Sequence, residues 1–269
     1  MTSESSPAAP AGVAGGAEAL ALHDVSRRFG GHLAVDSISF QVRPGTITGL
    51  IGPNGAGKTT LFNLIAGALP PTGGRIALGS RRLDGQPAHQ VLRAGVARTF
   101  QIPRPFAAMT VLENLMLAGQ DQPGERFWTN WLRPVAVADG ERALRARARE
   151  LIDFVGLGAL IGAPARVLSG GQRKLLELAR ALMTAPRLLL LDEPAAGVNP
   201  VLLEAIAERI VALHRAGVTI LLVEHNLDLV MRLCRPVLVM AGGRLLLEDD
   251  PDAVRADPRV VEAYLGAPR

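Results

Sequence analysis

Residues 52–59 read Gly-Pro-Asn-Gly-Ala-Gly-Lys-Thr, between the apolar run 46–51 and a segment whose Leu61, Leu64 and Ile65 fall on one helical face. A strand that turns through a glycine-rich loop into a helix confines the chain to layered α/β architectures, because strand and helix must bury their apolar faces against one core. The loop also fixes chemistry. Gly52, Gly55 and Gly57, with Pro53, Asn54 and Ala56 between them, let backbone amides close around phosphate oxygens, and the helix start adds positive dipole. Lys58 can reach the β and γ phosphates, the Thr59 hydroxyl can ligate magnesium, and Thr60 follows in the first turn. Lys58 and Lys174 are the chain's only lysines, so an ordinary glycine turn explains this placement poorly.

Alternating stretches at 19–29 and 33–42, bounded by Gly30-Gly31 and Pro44-Gly45, predict paired strands, and 75–78 predicts another. From about Gln101 to Leu182 the pattern is helical. Thr110 and Glu113 are spaced as a capping box opening a helix through Leu117. A second helix over 141–155 turns Leu144, Ala148, Leu151, Ile152 and Val155 inward and Arg142, Arg145 and Arg149 outward. Strand-helix alternation then resumes, with strands at 188–191 and 218–223 and helices at 201–215 and 227–234, as in a parallel sheet. A hairpin at Gly242-Gly243 and a short helix at 260–265 finish the chain. The expectation is a disordered tail over 1–18 and a single domain over 19–269, in which 19–100 and 183–269 form an α/β core with an N-terminal β subdomain and 101–182 an inserted helical subdomain.

Composition narrows the partners. Apolar residues are 48% of the chain but aromatics only 4%, so the core must come from Leu, Val, Ile and Ala. The single cysteine, Cys234, excludes an internal disulfide and fits a reducing compartment. No run approaches the roughly 18 apolar residues of a membrane helix, and 1–18 lack the basic start and apolar block of a signal peptide. The net charge of +4 comes from 29 basic residues scattered among 25 acids. Scattered arginine reads as solvated surface, so no nucleic-acid partner is expected.

Leu188 to Leu191 is an apolar strand ending in Asp192 and Glu193, and ligands gather at the carboxyl ends of parallel strands. Asp192 is placed for the magnesium shell, and Glu193 to polarise an attacking water. A kinase, GTPase, helicase or recombinase could carry these parts too. Leu168-Ser169-Gly170-Gly171-Gln172 decides among them, because Ser169 and two glycines open a helix striped by Leu175, Leu178, Ala179 and Leu182. That makes a second helix N-terminus suited to phosphate, and one ATP does not need two such cradles.

With this signature the chain resembles the ABC ATPase family from about Ala19 to Gly266. The resemblance implies a P-loop NTPase (RecA-like) core, ATP and Mg2+ as ligands, and a second cassette whose signature closes over each ATP. It places Phe29 against adenine, although Tyr is commoner there. It also implies that Gln101 touches magnesium and water, that Glu193 and His225 are catalytic, and that Ser169, Gly170, Gly171 and Gln172 serve the neighbour's nucleotide. The loop 195–199 would cross the dimer interface, with Asn199 standing where Asp is usual. Arg104, Pro105 and Phe106 are expected to contact membrane permease subunits.

The stretch 98–117, the loop 195–200 and the ending Ala263-Tyr264-Leu265-Gly266 resemble the branched-chain amino acid importer cassettes. Residues 121–139, with Trp128 and Trp131, lengthen the helical subdomain as in the larger of their two cassettes. The resemblance implies a peripheral subunit on the cytoplasmic face of the membrane and an extracytoplasmic substrate-binding protein. Urea or amide uptake, lipopolysaccharide export and a soluble non-transport ABC ATPase are the alternatives.

Overall fold

The computed structural model describes residues 20–99, 105–119 and 134–265; the expected tail, Gln101, Arg104, Trp128 and Trp131 lie outside them. Contacts divide the chain into two compact units, one holding 102–185 and 197–212, the other 13–101, 186–196 and 213–269.

The larger unit contains two sheets. Strands β1 (Leu20–Phe29), β2 (His32–Val42), β4 (Gly73–Leu78) and β5 (Arg81–Arg82) form an antiparallel sheet in the order β2-β1-β4-β5. The second sheet has the order β10-β9-β3-β8-β7-β6, built from β3 (Ile47–Ile51), β6 (Val96–Arg98), β7 (Leu188–Asp192), β8 (Thr219–Val223), β9 (Val237–Ala241) and β10 (Arg244–Asp249). Every residue of β3, β7 and β8 is buried, which is why they read as continuous apolar runs rather than alternating ones. They pair in parallel, and β10 closes the edge antiparallel to β9 through the hairpin at Gly242-Gly243.

Helix α1 (Lys58–Ile65) buries Leu61, Phe62, Leu64 and Ile65 in one cluster with strand side chains of both sheets, among them Leu22, Ile38, Leu50, Leu190 and Leu221. Its glycine stop is observed, Gly67 lying at φ 69. Helices α2 (Ala88–Arg93), α7 (Leu227–Leu233), α8 (Pro251–Ala256) and α9 (Pro258–Leu265) complete this unit. At Gly49 on β3 an added Cβ would stand 2.9 Å from Val230 Cγ1 and 3.0 Å from Cys234 Cβ, so the bare backbone there lets α7 pack directly on the sheet. Burial pushes the Cys234 thiol up to about 12, keeping it protonated and inert.

The helical unit holds α3 (Val111–Leu117), α4 (Pro134–Phe154), α5 (Gly170–Leu182) and the N-terminal part of α6 (Pro200–Arg215), with 3-10 turns at Gly158–Leu160 and Ala165–Val167. The capping box of α3 is formed: Glu113 N donates to Thr110 Oγ1 at 3.1 Å, and Thr110 N donates to Glu113 Oε2 at 2.7 Å. Ala148, Leu151 and Ile152 are buried on α4 while Arg142, Arg145 and Arg149 are exposed. This helix begins at Pro134 rather than 141. It runs through Gly140, whose cost of about 1 kcal/mol relative to alanine does not break a helix held by its packed face.

Candidate functional site

The phosphate loop is shaped by close backbone approaches. A Cβ at Gly52 would stand 2.1 Å from Met240 O, and one at Gly57, the α1 N-cap at φ 96, would stand 2.4 Å from Ala34 O. Only glycine fits at either position. The side chain of Lys58 folds back under the loop, where Nζ donates to Gly52 O at 2.6 Å and Pro53 O at 3.0 Å. Burial lowers its pKa, while the carboxylates of Glu193 and Asp192 oppose the shift. An ammonium has three donors, and two are spent on the loop, leaving one for a ligand.

At the end of β7, Asp192 is 3% exposed and its Oδ2 accepts from Arg98 Nη2 at 2.6 Å. Arg98, on β6, also donates to Asn63 Oδ1 at 2.6 Å and lies over the Phe62 ring. One guanidinium thereby holds the Asp192 carboxylate through Oδ2. Nothing in the sequence around Arg98 signals this pairing.

Glu193 follows with φ 48, a left-handed conformation that non-glycine residues rarely adopt. The turn is held by Glu193 N donating to Val223 O at 2.9 Å and Ala196 N to Glu193 O at 3.2 Å. It presents Oε1 to His225 Nε2 at 2.9 Å; the Glu193 side chain is 12% exposed and that of His225 43%. Such a pair can orient a water and hold a proton near a phosphoryl group.

Phe29, His32, Ala34, residues 54–60, Glu193 and His225 line one cavity of about 390 Å3. The structure thus brings together the phosphate loop, the proposed adenine platform and both catalytic candidates. Arg27 stacks its guanidinium 4.7 Å from the Phe29 ring centroid and donates to Pro70 O at 2.8 Å; the stacked ring is 43% exposed. A Cβ at Gly55 would meet nothing within 4 Å, so its φ of 78 rather than crowding favours glycine there. For a magnesium ion the donor set fits: Thr59 hydroxyl and Asp192 carboxylate are hard oxygens, and Mg2+ takes one or two such groups beside phosphate and water.

The signature belongs to the helical unit. Ser169 is the N-cap of α5: Gln172 N donates to Ser169 Oγ at 3.2 Å and Ser169 N donates to Gln172 Oε1 at 2.9 Å. Both side chains are therefore engaged in the cap, and the Gly170 and Gly171 amides are the first-turn donors left over. The two glycines differ. Gly170 is exposed with nothing near its missing Cβ, whereas a Cβ at Gly171 would collide with Leu202 of α6. Asn199, read only as a departure from Asp, accepts from Leu202 N at 2.9 Å through Oδ1 and caps α6. Phe106 is 48% exposed and lies beneath the Arg180 guanidinium.

Comparison with known proteins shows the family. Residues 35–196 match the ABC transporter family model, more than half of the chain. The chain belongs to the ATP-binding cassette family of ABC transporters. Residues 244–269 of this cassette also match the model described as branched-chain amino acid ATP-binding cassette transporter. Among curated relatives it is 40% identical over 252 residues to a probable branched-chain amino acid transport ATP-binding protein LivG of Archaeoglobus fulgidus, covering 92% of this chain and 95% of that one. It is 39% identical over 248 residues to the high-affinity branched-chain amino acid transport ATP-binding protein BraF of Pseudomonas aeruginosa, covering 92% and 97%. A crystal structure of a nucleotide-free cassette from an ABC transporter superposes with TM-score 0.80 at 35% identity, covering 93% of this chain and 99% of that one. Another cassette, in its ADP conformation, gives TM-score 0.80 at 37% identity over 93% and 99%.

Two features of this cassette's site carried no sequence signal that we read. Glu224 is a buried carboxylate immediately after β8. Tyr264 of α9 belongs to the family-like ending; burial raises its phenol pKa and the Gly52 backbone partly opposes that shift.

Proposed function

We propose that this cassette hydrolyses ATP to ADP and phosphate to power uptake of branched-chain amino acids through separate membrane permease subunits. The observation that carries the hydrolytic half is the Glu193–His225 pair, at 2.9 Å, on the wall of the phosphate-loop cavity. The cargo half is supported by the C-terminal family match and by the names of its relatives.

The loop amides and Lys58 bind the β and γ phosphates, Phe29 stacks on adenine, and His225 holds the γ-phosphate. Glu193 orients water opposite the leaving ADP and accepts its proton. Thr59, Asp192 and Gln101 would hold Mg2+, which offsets charge on the phosphates. Ser169 with the Gly170 and Gly171 amides and Gln172 in the same first turn completes the γ-phosphate shell of a second cassette, so closure needs ATP and product release reopens the pair. Phe106 and Pro105, with Arg104, contact the permease at the cytoplasmic face, where an extracytoplasmic binding protein delivers cargo from the other side.

Glu193→Gln tests the catalytic assignment. In the reconstituted transporter its ATP turnover is expected to fall by about 100-fold or more, with ATP affinity kept because Lys58 and the loop are untouched. Wild-type turnover by that variant would refute the role of Glu193.

A further inference from the structure

Glu224 is 2% exposed, one residue past β8 and immediately before His225. Its Oε1 accepts from Ala195 N at 2.5 Å, and its Oε2 accepts from His225 N at 3.0 Å and Asn226 N at 3.3 Å. A carboxylate so far from water persists only when hydrogen bonds replace its hydration. Here they come from main-chain amides of two separate loops. Ala195 lies two residues beyond Glu193, in the turn that forces φ 48. His225 and Asn226 begin the other loop, where Asn226 Oδ1 accepts from Leu229 N at 3.0 Å to cap α7.

We propose that Glu224 is a positioning residue for hydrolysis: by bridging the two loops it sets the distance between the Glu193 carboxylate and the His225 imidazole. It does not line the nucleotide cavity, so it acts through those two residues rather than on the substrate. The bridge explains the residue type. Only a carboxylate offers acceptors at both ends. Glutamine would turn an NH2 group toward one set of amide donors, and aspartate, one methylene shorter, cannot span both loops from this backbone position. A displacement of about 1 Å in a reacting group costs on the order of 100-fold in rate, and release of either loop permits a displacement of that size.

This inference deepens the hydrolytic reading, and the experiment separates the two. In the assembled transporter, Glu224→Gln is expected to lower kcat for ATP by about 100-fold while ATP affinity, measured with a fluorescent nucleotide, changes by less than about threefold. Glu224→Asp, which keeps the charge, is expected to lose as much. Because both act through the same pair, Glu224→Gln combined with His225→Ala should be within about threefold of the slower single variant. In the wild type, the amide of Ala195 should exchange with deuterium far more slowly than that of exposed Gly197, a readout that needs no variant to fold. Unchanged kcat in Glu224→Gln, full activity in Glu224→Asp, an equal loss of ATP affinity, additive losses in the double variant, or equal exchange at Ala195 and Gly197 would each overturn the bridge. If Glu193→Gln stays active, it is the hydrolytic reading that fails.

Discussion

The Arg98–Asp192 pair couples the magnesium candidate to the fold at the scale of single side chains. With Asp192 3% and Arg98 13% exposed, both charges are held away from water, where each depends on the other. Removing one partner of a buried pair leaves an uncompensated charge and costs about 3–5 kcal/mol. Arg98→Gln is therefore expected to lower stability toward urea by about 3 kcal/mol, and much of that loss should be recovered when Asp192→Asn is added. Equal losses with and without the second change would show that the pair is not coupled. Neither this pairing nor the Glu224 bridge was legible in the sequence. Arg98 and Asp192 are separated by 94 residues, and Ala195 and Glu224 by 29, and no periodicity reports which polar side chains a sheet will bring together. What was legible is local: a lysine and hydroxyl at the end of a glycine loop, and two acids at the end of an apolar strand.

Among the elements, packing of α7 on β3 depends on the absence of a side chain. Gly49→Ala would put a methyl within 2.9 Å of Val230 Cγ1 and 3.0 Å of Cys234 Cβ, both near the backbone and unable to swing away. Overpacking of this kind costs about 1–3 kcal/mol, so a lower thermal midpoint is expected, and an unchanged midpoint would mean that α7 yields easily. Long amphipathic helices and wholly apolar strands announced themselves, as did the cap of Thr110 with its partner Glu113 at fixed spacing; the reciprocal cap of Ser169 with Gln172 did not. Short elements did not. β6 (Val96–Arg98) and α2 (Ala88–Arg93) are too brief to complete a recognisable period, and they exist because β7 pairs with one and the hydrophobic cluster takes Val91 from the other.

For the molecule as a whole, two cradles lie in different compact units of the chain. The loop at Lys58 is lined for a nucleotide tail, and the cap at Ser169 leaves the amides of Gly170 and Gly171 as donors. In the proposed mechanism the second cradle serves ATP bound by another cassette. Its most direct test is Ser169→Arg, which puts a bulky side chain at the mouth of the α5 N-terminus while leaving the phosphate loop intact. ATP affinity of the isolated chain should be unchanged within about threefold, and ATP turnover by the assembled transporter should fall by at least about tenfold, the loss of one good hydrogen-bonding contact in the transition state. Full turnover by Ser169→Arg would mean that the α5 N-terminus does not serve a neighbour's ATP.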